Sequence, residues 1–178
     1  MKVPNKRARI KALHWTLVPF FAWFVLVQPA DVSRWGPAWV DLHSVFGLVF
    51  VVAALLWFGE YLRHGLLSRP GPKLPGWARP VHRALHLTLI WGLFAVVVGG
   101  FLLGLTSTRL LWAGDVVPIA PPLGLPRLND LVGVFHEVQF YLLGAVAGLH
   151  AGFHLWRHLR LRDNALRIMA PKALHRFL

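Results

Sequence analysis

The stretch Leu131–Trp156, LVGVFHEVQFYLLGAVAGLHAGFHLW, decides how the chain is read. Its only charged residue is Glu137. As a helix rising 1.5 Å per residue it would extend ~39 Å, more than the ~30 Å of a bilayer's hydrocarbon core. So apolar a run at that length predicts a transmembrane helix. It nevertheless carries His136, His150 and His154. His136 and His150 are separated by about 21 Å along the axis and by nearly four turns, so they share a face at two depths.

Three further apolar stretches precede it: Ala12–Gln28, Trp39–Leu62 and Pro80–Leu105. Each is long enough to span, the first only just, and Pro19 sits inside that first run. The whole chain is 56% hydrophobic and 15% charged, with mean hydropathy +0.54. Soluble domains carry about 25% charged residues. The expected fold is all-α, a membrane-embedded up-down four-helix bundle forming a single domain over residues 1–178. A basic tail, 157–178, is expected to end in a short surface helix. No A-x-A cleavage signal follows the first run, which reads as a retained helix rather than a signal peptide.

The net charge of +12 suggests nucleic acid only until its distribution is considered. Five Lys and Arg precede or open the first run (Lys2, Lys6, Arg7, Arg9, Lys11). Five flank the second loop (Arg63, Arg69, Lys73, Arg79, Arg83), and six lie in the tail. The first loop has Arg34 alone, and the third, Thr106–Asp130, has Arg109 and Arg127 among four prolines. This is the positive-inside pattern of a multi-pass membrane protein with both termini cytoplasmic. No polar domain is available to build a nucleic-acid surface. Trp15, Trp35, Trp39, Trp77 and Trp112 fall near the expected interfaces.

The chain has no cysteine, which excludes disulfides, thiolate-held iron–sulfur clusters and covalent haem attachment. A redox centre would need His, Met or oxygen ligands. His43 opens the second helix at the depth of His136, and His14 lies near the depth of His150. The two level-matched pairs, His43/His136 and His14/His150, suit bis-imidazole ligation of two b haems. Two imidazoles leave no open iron position, which favours electron transfer over oxygen binding. A single intramembrane His is more often a helix–helix hydrogen-bond partner, but four that pair by depth on three helices favour the haem reading.

The remaining signals are weaker. Gly47 and Gly133, close to His43 and His136, would let a flat macrocycle approach. Gly144, Gly148 and Gly152 read as a small-residue packing ridge. His82 and His86 open the third helix, where His86 with Arg83 would contact a haem propionate or a quinone, or simply form a polar helix end. His150, His154 and His158 repeat at i, i+4, i+8 like a metal-binding face. Only Asp163 is near enough to complete it, and His154 and His158 read as interfacial and solvated. Glu137 would tune its neighbouring ligand, relay a proton or face the interface; His64 and His175 read as surface residues.

Three segments carry a family resemblance: Leu13-His14-Trp15, Asp41-Leu42-His43-Ser44-Val45-Phe46-Gly47, and His136-Glu137 through Gly148-Leu149-His150-Ala151 with the tail Arg162-Asp163-Asn164-Ala165-Leu166-Arg167-Ile168-Met169. On these the chain resembles the bacterial cytochrome b561 family, related to hydrogenase-type cytochrome b subunits. The resemblance implies a bacterial inner-membrane protein with two b haems whose ligands fall on His14, His43, His136 and His150. It also implies electron exchange with the quinone pool. One similar branch oxidises superoxide at the periplasmic face and reduces ubiquinone. The expected outer loops offer Arg34, Arg109 and Arg127 against Asp31, Asp41, Asp115 and Asp130, a weak lure for a small anion.

The leading reading is therefore a quinone-linked dihaem cytochrome served by a periplasmic electron donor or superoxide. One alternative is a membrane-anchor cytochrome b subunit for a partner dehydrogenase or hydrogenase. The other is a haem-free membrane scaffold or transporter.

Overall fold

The computed structural model describes residues 6–66, 68–170 and 172–177, without the side chains of 6, 7, 29, 30, 172 and 177. Lys2 of the basic N-terminal cluster lies outside the described residues. The chain forms α1 (Lys6–Leu26), α2 (Pro29–Trp35), α3 (Pro37–His64), α4 (Ala78–Thr106), a small ribbon of β1 (Trp112–Ala113) and β2 (Val117–Pro118), α5 (Pro126–Trp156) and α6 (Ala165–Met169). Four long helices make an all-α bundle in which α1 packs on α3 and α5, α3 on α4, and α4 most extensively on α5.

Among the described residues, three segments are long and apolar enough to cross a membrane: Pro37–His64, Ala78–Thr106 and Pro126–Leu161. The fourth long helix, α1, carries Arg9, Lys11 and His14 in its first half and passes Pro19 without a break. The bundle's outward faces are apolar. Phe135, Leu142 and Leu149, seven residues apart along α5, are 61%, 64% and 65% exposed. A stripe of that kind is unstable in water and at home in lipid. The five tryptophans expected at interfaces are all exposed.

The boundaries differ from the sequence reading in instructive ways. Lys6, Arg7, Arg9 and Lys11, ahead of Ala12, already belong to α1, because nothing in Lys6–Lys11 breaks a helix. The first loop is mostly helical: Pro29 opens α2, Asp31 accepts from the Gln28 backbone N–H at 3.0 Å, and Gly36 (φ 119°) makes the corner into Pro37. Gly36 there takes a backbone conformation that a residue with a Cβ rarely adopts. α5 begins at Pro126, five residues before Leu131, since Asn129 Nδ2 donates to the Leu103 carbonyl and to Thr106 Oγ1, both at 2.8 Å. That bond ties the start of α5 to the end of α4 and satisfies a terminal carbonyl.

The α4–α5 connection is more ordered than its prolines suggest. Trp112 pairs with Pro118 and Ala113 with Val117 across a turn whose Gly114 (φ 61°) and Asp115 (φ 54°) are left-handed. The Gly114 N–H donates to Ser44 Oγ at 2.9 Å, so the ribbon is fastened onto α3 beside His43. After Trp156 the chain continues through a π-helical turn, Arg157–Leu161, into α6 and a 3-10 turn, Lys172–Phe177.

The buried centre is Leu17, Phe50, Ala53, Ala54, Val96 and Leu143, wrapped by Phe20, Phe21, Phe24 and Phe140. α4 and α5 approach closely where α4 has glycine. A Cβ on Gly92 would lie 2.5 Å from Leu143 Cδ1, and one on Gly99 would lie 2.7 Å from His136 Nδ1. The expected glycine ridge on α5 is only partly a packing surface. A Cβ on Gly144 would lie 3.4 Å from Val25 Cγ2, but one on Gly148 or Gly152 would meet nothing within 4 Å.

Candidate functional site

His43 and His136 line one cavity of about 870 Å³ between α1, α3, α4 and α5. This is in the range of small-molecule and cofactor sites. Its wall includes Gly47, Gly100, Gly133 and Glu137, and the ribbon residues Ala113, Val117 and Pro118 form its roof. Gly47 and Gly133 therefore lie where the sequence reading needs a flat group to approach.

The two ring nitrogens of His136 face different surroundings. A Cβ on Gly100 would lie 3.6 Å from Cε1 and 3.9 Å from Nε2, on the cavity side. Nδ1 instead faces Gly99, which a Cβ could enter only at 2.7 Å from Nδ1 and 2.8 Å from Gln139 Oε1. His136 Nδ1 and Gln139 Oε1 are both buried with no close hydrogen-bond partner among the described residues. A small rotation would let the Nδ1–H donate to Gln139, the usual way a metal-binding imidazole is oriented through its second nitrogen. On the opposite wall Trp23 Nε1 donates to His43 Nδ1 at 3.1 Å, and Phe24 meets the His43 ring edge-on at 4.9 Å. An indole N–H only donates, so for a neutral His43 this contact and iron ligation through Nε2 exclude each other. One yields when the other forms.

The opposite end of the bundle is a histidine cluster. His150 on α5 stacks edge-on against His86 at 4.7 Å and His154 at 4.6 Å between ring centroids. His14 of α1 lies against Trp15 and Trp57 and is within electrostatic reach of both His86 and His150. His14 Nδ1 and His150 Nδ1 are buried without hydrogen-bond partners among the described residues. Arg83, three residues before His86, is exposed. His82, near the start of α4, is 1% exposed and bonded to Ser68 Oγ at 3.1 Å. His154, expected to be solvated, is half-buried, with its Nε2 covered and its ring against His82 and His86 of α4.

Between the two levels lies an aromatic layer. Phe140 has Phe24, Phe50 and Phe21 at ring centroids of 5.6, 5.9 and 6.1 Å. This apolar layer separates the His43/His136 level from the His14/His150 level.

Residues 7–172 match the profile of prokaryotic cytochrome b561. The chain belongs to the prokaryotic cytochrome b561 family. It is also similar to a Yersinia pestis protein described as probable superoxide oxidase CybB, with 25% identity over 166 residues, covering 90% of this chain and 92% of that protein. This cytochrome is thus a membrane protein of electron transfer, and its family implies haem b. The residues present fit that group. Three of the four histidines singled out by depth keep a buried ring nitrogen without a hydrogen-bond partner among the described residues, and the fourth faces a cavity free of large side chains at three glycines. An imidazole nitrogen left bare in an apolar interior costs about 1–3 kcal/mol, a penalty that metal ligation or a bound hydrogen-bond partner removes.

Sequence reasoning missed Gln139, Trp23, Gly99 and Gly100. Gln139 had a signal, three residues after His136 on one helix. The others are assigned only by packing between helices.

Proposed function

We propose that the chain is a dihaem cytochrome that passes single electrons between a donor at one membrane face and the quinone pool. His43 and His136 hold one haem b, and His14 and His150 the other. Bound haem b supplies reversible one-electron carriage at each level. The observation that carries the reading is the shared cavity, with His43 on one wall and the Nε2 side of His136 next to Gly100 on the other. The aromatic layer excludes water between the levels, which limits the reorganisation that electron transfer must pay for. His86 and Arg83 line the route by which an anionic propionate or a quinone reaches the second level.

Both termini and the α3–α4 connection lie on the cytoplasmic side of the inner membrane, as the Lys and Arg distribution supports. The donor at the other face is superoxide, a reading supported by the name of the Yersinia pestis relative. Two superoxide ions each give up one electron and leave as dioxygen, while one quinone takes two electrons and two protons to become the quinol. Liposomes carrying the purified protein and ubiquinone should reduce the quinone when superoxide is generated outside. Oxidation of added quinol with no response to superoxide would remove superoxide as donor and favour the anchor-subunit role.

A further inference from the structure

We propose that His82, His86 and His154 form a binding site for a divalent late first-row cation, with zinc the natural test ion, separate from the four haem-ligand histidines. One ring nitrogen of each lies within 4.8 Å of the others. His82 and His86 stand one turn apart on α4, and His154 comes from α5, so the site joins the two helices. Ligand nitrogens at the 2.0–2.1 Å of a tetrahedral zinc stand about 3.4 Å apart, so modest side-chain rotations close the triad.

The hydrogen bonds set the rings for ligation. His86 Nδ1–H donates to the His82 carbonyl at 2.7 Å, which leaves the His86 Nε2 lone pair free. His82 is 1% exposed, and Ser68 Oγ pairs with its Nε2 at 3.1 Å, leaving Nδ1 for an ion. His154 Nε2 is buried with no partner among the described residues. Histidine rings oriented by a carbonyl or a hydroxyl through the second nitrogen are the usual pattern at metal sites. The triad contains no carboxylate, and imidazoles alone favour zinc, copper or nickel over magnesium or calcium. The nearby guanidinium of Arg157 is matched by Asp163 at 2.7 Å, so its charge does not repel a cation unopposed.

The test is equilibrium dialysis of the haem-loaded protein against zinc, with zinc and haem counted per chain. Zinc-edge X-ray absorption then reports the ligands. One zinc per chain with three imidazoles in its shell is expected. His154→Ala and His86→Ala should weaken binding at least 100-fold, and Ser68→Ala about 10-fold. His175→Ala, on the same basic end, should change nothing. Zinc held without imidazole ligands, or held equally by His154→Ala, overturns the site. Loss of haem rather than zinc from His154→Ala would assign the triad to the haem and overturn it as well. If the alanine variants fold poorly, the wild-type absorption spectrum alone decides.

Discussion

His136 shows how one side chain is given two tasks by two adjacent glycines. Gly100 opens the cavity beside Nε2, whereas Gly99 makes room for Nδ1 and Gln139. A methyl group at Gly99 would stand 2.7 Å from Nδ1, and the ring has little freedom to retreat because Phe140 meets it edge-on at 5.3 Å. If His136 is a haem ligand as proposed, Gly99→Ala is expected to displace it and lose one of the two proposed haem components in a low-temperature reduced-minus-oxidised spectrum. Gly59→Ala, whose Cβ meets nothing within 4 Å, should keep both. The place of His136 on the cavity wall was legible in the sequence, because depth and face follow from helix geometry. The importance of Gly99 was not, since its neighbour comes from another helix. His154 failed in the opposite direction: at the end of an apolar run it looked solvated, and only the position of His82 and His86 on α4 shows why it is covered.

At the scale of elements, the end bearing the histidine cluster is closed by the tail and the α3–α4 connection. Arg157 and Asp163 form an ion pair at 2.7 Å with side chains only 3% and 4% exposed. Asp163 Oδ1 also accepts from the Ala165 backbone N–H at 3.0 Å, and Gly71 packs against the guanidinium. Lys73 Nζ donates to the Arg162 carbonyl at 3.0 Å, and Trp15 Nε1 donates to the Met169 carbonyl at 2.7 Å. The tail is thus held by both α1 and the connection. Asp163→Ala would strand a buried guanidinium, a loss of about 3–5 kcal/mol. A lower thermal midpoint in detergent, with faster proteolysis after Trp156, is the expected result. The tail's resemblance motif, Asp163-Asn164 included, was visible in the sequence. Its partner Arg157 was not, because the pair is made by the turn at Arg162 (φ 49°) and Asn164 (φ 57°). The ribbon over the His43 cavity was likewise hidden, as strands of two residues leave no periodicity to read.

The whole molecule is a bundle whose outer surface is made for lipid and whose two ends differ in charge. The absence of cysteine makes its orientation easy to measure. Cysteine introduced at exposed Leu123, in the α4–α5 connection, should react with an impermeant thiol reagent added to intact spheroplasts. Cysteine at exposed Leu174 should react only after the membrane is opened. The reverse labelling would invert the proposed direction of electron flow. The most direct test of the paired-histidine arrangement is the haem count per chain in double variants. Protein lacking His43 and His136 together should retain one haem, as should protein lacking His14 and His150 together, whereas loss of His43 with His150 should leave none. Retention of one haem in that last variant, with loss of both from either of the first two, would contradict the pairing.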